Sequence, residues 1–225
     1  MQKVHPSSAD TRDLILNAAG GIFAQNGFHG TTVRQITRQA GVNLAAVNYH
    51  FHDKHELYVS VLKRAHQAAA HTAVADHAGS SQQQLRAFIQ TFLAYLLDPK
   101  RPDWQGSLIA REMAQPSPAL DRLVAESVQP VKQRLLGIIR EIVGTEVPEG
   151  RVNLACCSII GQCLHHVTSR EMISRLFPKG NGVTRDVETL SNHIYEFSLA
   201  GLNAIKRHTK PATVRRRRPQ PALSP

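Results

Sequence analysis

Apolar residues in this chain recur every three or four positions, and that period decides its fold class. From Asp10 onward the first apolar stripe consists of Leu14, Ile15, Ala18, Ala19, Ile22 and Phe23. This spacing places them on one face of an α-helix. Similar stripes follow along the chain, and no stretch of useful length alternates apolar and polar residues as a strand does. The sequence therefore predicts an all-α protein of about nine or ten helices.

Turn and capping residues divide the N-terminal part into short helices. The glycines of NGFHGTT end the first helix. Thr32 and Asn43 are good caps for the next two helices, VRQITRQA and LAAVNYHF, and Gly41 between them can adopt the left-handed conformation. Asp53 can cap a fourth helix that begins at Lys54. This order is typical of a helix-turn-helix, whose second helix enters the major groove of DNA.

The segment from Thr11 to Leu62 resembles the DNA-binding domain of TetR-family transcriptional repressors. The resemblance is carried by ILNAAGGIFAQNGFHGTTVRQITRQAGV, then AAVNYHF, then DKHELY. Two departures are visible. Gly20 and Gly21 replace better helix formers, and His52 stands where the family often has glycine, proline or lysine.

The resemblance implies a set of residues that face DNA from the second helix, the recognition helix and the start of the fourth helix. These residues are Thr32, Arg34, Asn43, Leu44, Ala45, Ala46, Asn48, Tyr49, His50 and Lys54. The amide of Asn48 is suited to a base edge because it both donates and accepts. Tyr49, His50 and Lys54 are expected at the phosphate backbone. The alternative for each residue is an ordinary cap or a solvated surface position.

The stretch HFHDKH raises the question of a metal site, because it holds His50, His52 and His55. A metal ion needs ligands that converge at about 2.0–2.1 Å. His50 and His52 are expected to point in different directions across a helix end. We therefore expect no metal here, and the sequence indicates no cofactor.

The rest of the chain resembles, less specifically, the C-terminal domain of the CecR subset of TetR regulators. The matching stretches are GSLIAREMAQPSPALDRLVAESVQPVKQRLLGIIREIVG and SIIGQCLHHVTSREMISRLFP. Within the first, Ser117 and Pro118 predict a helix start, and Pro130 predicts a kink or a split. The predicted layout is a disordered N-terminus (1–9), the helix-turn-helix domain (10–56), a helical effector-binding and dimerisation domain (57–208) and a disordered basic tail (209–225).

Two apolar helices, at about 150–168 and 186–205, are the candidates for a four-helix dimer interface. One recognition helix buries too little surface to select an operator, so we expect a homodimer on a palindromic site of double-stranded DNA. The candidate interface residues are Leu154, Ile160, Gly161, Leu164, Ile194, Phe197, Gly201 and Leu202. The alternative is that both stripes belong to the core of a single chain.

A pocket for an unknown small-molecule effector is expected between the other helices. Its candidate lining residues are Phe88, Phe92, Trp104, Arg111, Met113, Gln162 and His165. Arg111 is suited to an anionic effector, or it forms a structural pair with Glu112 or another acid. His165 and His166 are adjacent and so point about 100° apart, which makes a shared site difficult. The cysteines are expected to be buried thiols, with an oxidant sensor as the alternative.

Charge is concentrated at the C-terminus. The formal net charge is +10, and seven cations without an acid lie in KRHTKPATVRRRRPQPALSP, so residues 1–205 carry +3. This tail either adds salt-sensitive DNA affinity or only improves solubility. No apolar run approaches the roughly 18 residues of a membrane span, and the N-terminus lacks the apolar middle of a signal peptide. A cytoplasmic protein without membrane contact is expected.

These features predict a ligand-responsive, sequence-specific transcriptional regulator, with repression as the usual mode of the family it resembles. The first alternative is an architectural DNA-binding protein that uses the tail without sequence preference. The second is an all-α enzyme. The sequence holds no nucleophile–base pair, phosphate loop or HExxH motif, so we expect no enzyme activity.

Overall fold

The computed structural model describes residues 7–74, 78–178 and 186–209, and its regular structure there is helical throughout. The helices are α1 (Ser8–Asn26), α2 (Val33–Ala40), α3 (Leu44–Phe51), α4 (Lys54–Val74), α5 (Ser81–Leu96), α6 (Asp103–Ala114), α7 (Leu120–Leu123), α8 (Gln129–Val143), α9 (Glu149–Thr168), α10 (Arg170–Leu176) and α11 (Val187–Thr209). A π-helical turn, Val124–Val128, joins α7 to α8, so the described residues hold ten helices when this run is counted once. The predicted all-α class is confirmed.

Helix α1 begins earlier than the sequence pattern indicated. The hydroxyl of Ser7 accepts the N–H of Asp10 at 3.1 Å, and the carboxylate of Asp10 accepts the N–H of Ser7 at 3.0 Å. This reciprocal capping box satisfies two donors that a helix end leaves unpaired. The prediction of a disordered segment is therefore wrong for residues 7–9, and residues 1–6 lie outside the described part. Most of the predicted basic tail also lies outside it.

Proline and a buried acid shape the run from Ser117 to Val143. Pro130 lacks an N–H and lies directly after the π-helical turn, where Gln129 donates to the carbonyl of Val124. The predicted irregularity is therefore present as a π-turn. The hydroxyl of Ser117 accepts the N–H of Ala119 at 3.1 Å, as a cap does, but the regular helix begins at Leu120, two residues after the predicted first position, Pro118. The backbone N–H and hydroxyl of Ser117 both donate to the Glu112 carboxylate, at 2.8 and 2.9 Å, and the helix starts at Leu120.

The helices enclose two separate hydrophobic cores. The N-terminal core, as we call it, consists of buried residues of α1 to α4 together with Leu108, Ala119 and Leu123 from the region of α6 and α7. The C-terminal core consists of buried residues of α5, α8, α9 and α11, with Val147 from the loop before α9. Helix α4 contacts both regions, since it packs on α1, α5, α6 and α8. No helix of the described part is long and apolar enough to cross a membrane.

Candidate DNA-binding surface and effector domain

Local capping fixes the position of α2. The hydroxyl of Thr32 accepts the N–H of Gln35 at 3.3 Å, and the Gln35 side chain accepts the N–H of Thr32 at 2.8 Å. Ile36 is fully buried and anchors the helix to the N-terminal core. Thr32 is therefore a cap, as predicted, and it remains exposed at the helix end, where phosphate contacts are favourable.

A glycine turn then directs α3. Gly41 has φ 67° and ψ 28°, the left-handed conformation that glycine adopts without steric cost. The N–H of Val42 donates to the carbonyl of Thr37 at 3.1 Å across this turn. The side chain of Asn43 then accepts the N–H of Ala46 at 2.9 Å and starts α3. The predicted roles of Gly41 and Asn43 are confirmed in the structure.

Helix α3 has one buried face and one free face. Val47 and Phe51 are buried in the N-terminal core. Asn43, Leu44, Ala45, Asn48 and Tyr49 are exposed, and the exposed fraction reaches 50% for Leu44 and 77% for Tyr49. Large apolar and aromatic side chains at such exposure gain little from the folded chain itself. The free face of α3, which we define by these five residues, therefore offers base-reading and apolar contacts to a partner.

Ala46 and His50 are less accessible than the sequence predicted. Both are half-buried, and Ala46 packs on the N-terminal core. The ring of His50 lies 5.0 Å from that of Tyr49. Ala46 therefore contributes mainly by packing α3, while His50 lies beside the exposed Tyr49 ring.

The charges around α3 are arranged so that cations remain available. Asp10 and Asp53 cap helices, Asp13 pairs with Arg64, and Glu56 pairs with Arg122. In contrast, Arg12, Arg34 and Arg38 are exposed and have no carboxylate within salt-bridge distance in the described part of the chain. The acids of this region are thus engaged, and its arginines can neutralise phosphates.

Lys54 and Arg12 are held against aromatic rings. The ammonium of Lys54 lies 4.5 Å from the ring centroid of Phe28, and the guanidinium of Arg12 lies 5.2 Å from that of Phe51. Such cation–π contacts position a charge without neutralising it. Arg12 and Arg38 were missed in the sequence. Each is a single charged residue on a helix, and nothing in the local sequence distinguishes it from an ordinary solvated surface position.

His52 ends α3 in a strained conformation. Its φ is 65° and its ψ −60°, and it is the one residue other than glycine with positive φ among those described. Positive φ is costly for a side chain with a Cβ, and glycine, one of the residues frequent at this position in the family it resembles, would adopt it without that cost. His55 lies near Glu56 at 3.7 Å. Among the described residues, no group of three or more histidine, cysteine or acidic side chains is placed to hold a metal ion.

Helix α6 is held against α1 and α4 by three specific contacts. A Cβ on Gly20 would lie 2.6 Å from the Trp104 indole, so only glycine allows this approach of α1 to α6. Arg111 donates to the carbonyls of Ala24 and Gln25 at the end of α1, at 3.1 and 2.8 Å.

The third contact is the buried pair of Tyr58 and Glu112. The hydroxyl of Tyr58 donates to the Glu112 carboxylate at 2.7 Å, and Ser117 gives that carboxylate two more hydrogen bonds. Burial, and then the neighbouring carboxylate, raise the pKa of Tyr58. A buried carboxylate with three donors is satisfied and structural. The pair therefore fixes α6 against α4.

Among the described residues, the predicted effector-lining residues are spread over different parts of the molecule. Phe88 and Phe92 are buried in the C-terminal core, and Trp104 packs on the N-terminal core. Met113 is exposed, Gln162 bonds to Ser158 and Ser198, and His165 is exposed beside Ser169. Arg111 lines a small cavity of about 220 Å³ but is engaged by α1 carbonyls. Apolar helix faces here serve packing, which the sequence alone could not separate from ligand binding.

In the part of the chain that the structure describes, a cavity larger than the one beside Arg111 lies between the α5–α6 connection, α6 and the junction of α9 and α10. Its volume is about 790 Å³, within the range of sites for small organic ligands. The apolar part of its wall includes Leu96, Leu97 and Val167, and its cations are Arg101 and Arg170. None of the predicted lining residues contributes to it.

The predicted interface residues divide into two groups. Ile194 and Leu202 are buried in the C-terminal core of the chain itself, so their assignment to the interface is wrong. They point inward because α11 packs against α5. Ile160 and Leu164 are half-buried, Gly161 and Gly201 are exposed, and Leu154 and Phe197 are exposed by 69% and 66%.

The cysteines are free thiols with different environments. Cys156 and Cys163 are buried, and burial raises the pKa of Cys163 to about 12. Cys157 is exposed on α9. A buried thiol with a raised pKa holds its proton and reacts slowly with oxidants.

The comparisons with known proteins agree with this geometry. The family described as bacterial regulatory proteins of the tetR family matches residues 15–61, and the C-terminal domain of the HTH-type transcriptional dual regulator CecR matches residues 81–202. CecR of Shigella flexneri is 26% identical over 171 residues, which cover 71% of this chain and 76% of that protein. The transcriptional repressor BepR of Brucella suis is 35% identical over 65 residues, 29% of this chain, and the match spans only 31% of BepR.

Solved structures share the fold. FadR of Bacillus subtilis, solved in complex with stearoyl-CoA, has a TM-score of 0.63 at 22% identity, with 84% of this chain and 98% of that chain covered. A protein of Pseudomonas aeruginosa PAO1 has a TM-score of 0.65 at 23% identity, with 93% and 100% covered.

The named relatives are transcriptional regulators and not enzymes. The two family matches follow each other along the chain, the tetR-family match over α1 to α3 and the start of α4 and the CecR-type match from α5 into α11. The chain belongs to the TetR family of bacterial regulatory proteins, with a C-terminal domain of the CecR type.

Proposed function

We propose that this protein is a ligand-responsive transcriptional regulator that binds a palindromic operator as a homodimer. The free face of α3 carries the proposal. It joins an exposed amide at Asn48, small side chains and an exposed aromatic ring at Tyr49 on one rigid helix. This is the chemistry that reads base edges in a major groove.

Phosphate contacts are assigned to the surrounding cations and to the cap of α2. Arg12, Arg34, Arg38 and Lys54 have the charge, and Thr32 has the exposed hydroxyl. Such contacts fix the register of the protein on DNA and make affinity depend on salt. We assign the helix-turn-helix domain to 10–56 and the effector and dimerisation domain to 57–208. The tail from 209 has the role of extra phosphate contacts in this proposal.

The dimer is assigned to the outer face of α9 and α11, which we call the α9–α11 face. It is defined by Leu154, Gly161, Phe197 and Gly201, all exposed in the single chain. A Cβ on either glycine would meet nothing within 4 Å, so the face is open to close approach by another helix pair. Gln162 and Ser198 join the two helices at 3.3 Å beneath it. Exposed apolar patches of this kind indicate a protein partner.

The proposed response is release from DNA when an effector binds. An effector acts only through different affinities for the DNA-bound and released arrangements. The contacts of α6 with α1 and α4 supply the route, because they connect the effector domain to both ends of the helix-turn-helix domain. Repression in the cytoplasm is the proposed mode.

The experiment is selection from random duplex DNA by the full-length protein at about 0.15 M salt, where non-specific contacts are weakened. The bound pool is sequenced for wild type and for Asn48→Ala. Asn153→Ala, a change of an equally exposed asparagine on α9, is the matched control. We expect a palindromic motif with half-sites one or more helical turns apart, retained by the control. Asn48→Ala should lose preference at one or two positions, with a cost of about 1–3 kcal/mol.

Three results would count against the proposal or a part of it. A pool without enrichment would favour an architectural protein that binds through its tail. An enriched motif without two-fold symmetry would contradict binding as a homodimer. An Asn48→Ala motif identical to that of wild type would restrict Asn48 to a backbone contact.

A further inference from the structure

The cavity of about 790 Å³ has a wall of mixed character. Leu96, Leu97 and Val167 provide apolar surface, while Arg101, His166 and Arg170 provide polar groups. Two acids, Asp98 and Asp103, also belong to the wall, but both are exposed. A wall that combines apolar surface with polar groups can orient a small ligand that has both an apolar and a polar part.

Arg101 is the unusual member of this wall. Its guanidinium is partly buried and lies 4.5 Å from the ring centroid of Tyr95. It donates from Nε to Gln105 at 2.9 Å and from Nη2 to the carbonyl of Ala65 at 2.9 Å. Both acceptors are neutral, and within the described ranges no carboxylate lies within 4.0 Å of it. An arginine has five N–H donors, so three remain for a ligand.

The environment of Arg101 makes its charge costly. Burial lowers the pKa of Arg101, and burial together with Arg101 lowers the pKa of the neighbouring His66. The Nδ1 of His66 is buried without a hydrogen-bond partner in the described part of the molecule. Tyr95 and Asp98 offset part of this cost for Arg101 electrostatically, Asp98 without forming a salt bridge, and an anion that enters beside the guanidinium would offset more of it.

Arg101 also connects the cavity to the DNA-binding domain. The Ala65 carbonyl accepts hydrogen bonds from Arg101 and, at 2.6 Å, from the hydroxyl of Tyr95. Ala65 lies on α4, whose first residue is Lys54. A ligand that binds Arg101 therefore acts on a helix that begins beside α3.

We propose that this cavity binds an amphipathic anion, with its anionic head on Arg101 and its apolar body on Leu96, Leu97 and Val167. The proposal deepens the proposed function, on which it rests, by giving the effector a place and a chemical class. It commits to a net negative ligand because Arg101 is partly buried and, within the described ranges, has no carboxylate within 4.0 Å, whereas Asp98 and Asp103 are exposed.

The test is calorimetric titration of the full-length protein, without DNA, with decanoate and with decyltrimethylammonium, both below their micelle concentrations. These probes share an apolar chain and differ in the sign of the head group. Arg101→Met removes the charge and keeps the length of the side chain. Arg86→Met is its control, because Arg86 stacks on Tyr195 at 4.3 Å in the same manner but does not line the cavity.

A second variant blocks the cavity without disturbing the fold. Gly106 lines the cavity, and a Cβ there meets nothing within 4 Å. Leucine also favours the helix more than glycine. Gly106→Leu therefore fills space, and Gly137→Leu, at an equally open helical glycine outside the cavity, is its control.

We expect decanoate to bind wild type and both controls alike, and decyltrimethylammonium to bind at least about tenfold more weakly. Arg101→Met should weaken decanoate by about tenfold or more, the loss of a charged hydrogen bond. Gly106→Leu should also abolish binding, and it decides the test if Arg101→Met does not fold. Equal affinity for the two probes, unchanged binding by Gly106→Leu, or no binding to wild type would overturn the proposal.

The titration contains no DNA, so its failure is separable from failure of the regulator proposal. If a palindromic motif is found but decanoate does not bind, the proposed regulator function stands and the proposed ligand site is wrong. If decanoate binding depends on Arg101 but no motif is enriched, the proposed ligand site stands and sequence-specific operator binding is wrong.

Discussion

The N-terminal and C-terminal cores differ in how they are assembled. The C-terminal core consists mainly of four long helices, α5, α8, α9 and α11. The N-terminal core combines α1, the two short helices α2 and α3, and α4 with Leu108, Ala119 and Leu123, which lie more than forty residues further along the chain. Short helices bury little surface on their own. The DNA-binding region is therefore completed by residues of the following domain.

This difference bears on signalling. A helix-turn-helix domain with a closed core of its own would respond to the effector domain only through a linker. Here α6 contributes Leu108 to the core, Trp104 against Gly20, and Arg111 on the carbonyls that end α1. A shift of α6 must therefore change the packing of α1 and, through it, the position of α3.

The largest effect on stability is expected from substitutions that leave a cavity in one core or the other, and they test whether the two cores unfold separately. Leu108→Ala and Ile138→Ala each remove a fully buried aliphatic side chain, Leu108 from the N-terminal core and Ile138 from the C-terminal core. Each should lower the free energy of unfolding by about 2–5 kcal/mol. The two variants should differ in which helices exchange their amide hydrogens faster than in wild type. Leu108→Ala should accelerate exchange in α1 and α4, and Ile138→Ala in α5 and α9.

The pattern of exchange decides whether the cores are separate cooperative units. If Leu108→Ala left α1 protected, the DNA-binding region would be self-contained, and the physical boundary would lie near the predicted one at residue 56. If both variants accelerated exchange equally in all helices, the two cores would unfold as one unit.

The sequence predicted the helix-turn-helix in detail because its signals are local. The caps Thr32 and Asn43, the turn at Gly41 and the start of α4 depend on residues within four positions of each other. Each was predicted and is present. His52 departs from the residues that are usual at this position in the resembled family, and the structure shows that its backbone has a positive φ.

The effector domain was less predictable because its determinants are distant in sequence. The sequence indicates only that Gly20 is a poor helix former. The structure shows that glycine is required there, because a Cβ would collide with the Trp104 indole. Arg111 was expected to bind a ligand or an acid, whereas it binds α1 carbonyls. Ile194 and Phe197 lie on one apolar helix, and only the packing of α11 shows that the first is core and the second is surface. Apolar periodicity identifies a helix but not what covers each face.

A smaller effect is expected from the hydroxyl that joins α4 to α6. Tyr58→Phe removes the hydrogen bond to the buried Glu112, and should cost about 1.5–3 kcal/mol of unfolding free energy. Tyr195→Phe is the matched control in the C-terminal core, because among the described residues no hydrogen bond to its hydroxyl is present. Chemical denaturation should show a change of less than about 0.5 kcal/mol for the control. Equal losses would mean that the Tyr58–Glu112 bond adds nothing beyond packing.

The Tyr58 contribution should also depend on pH. Its pKa is raised in the folded protein, so the phenol keeps its proton above pH 10, where an unfolded tyrosine loses it. The stabilisation is therefore complete below about pH 10 and decreases as the pH rises further. The difference between wild type and Tyr58→Phe should shrink over that range, and a difference that grew with pH would contradict the raised pKa.

The smallest effect on the protomer is expected at its exposed apolar residues, where the two regions differ again. Phe197 lies on the α9–α11 face beside the C-terminal core, and Met113 on α6 is similarly exposed, at 62%, beside the N-terminal core. Aspartate at either position should change the stability of the protomer by less than about 0.5 kcal/mol. In sedimentation equilibrium, however, Phe197→Asp should yield a monomer, because it places a charge in the proposed interface. Met113→Asp should remain a dimer. If Met113→Asp were monomeric and Phe197→Asp dimeric, the interface would lie on α6. That surface of α6 would then be covered by the partner and could not be free to transmit an effector signal to α1.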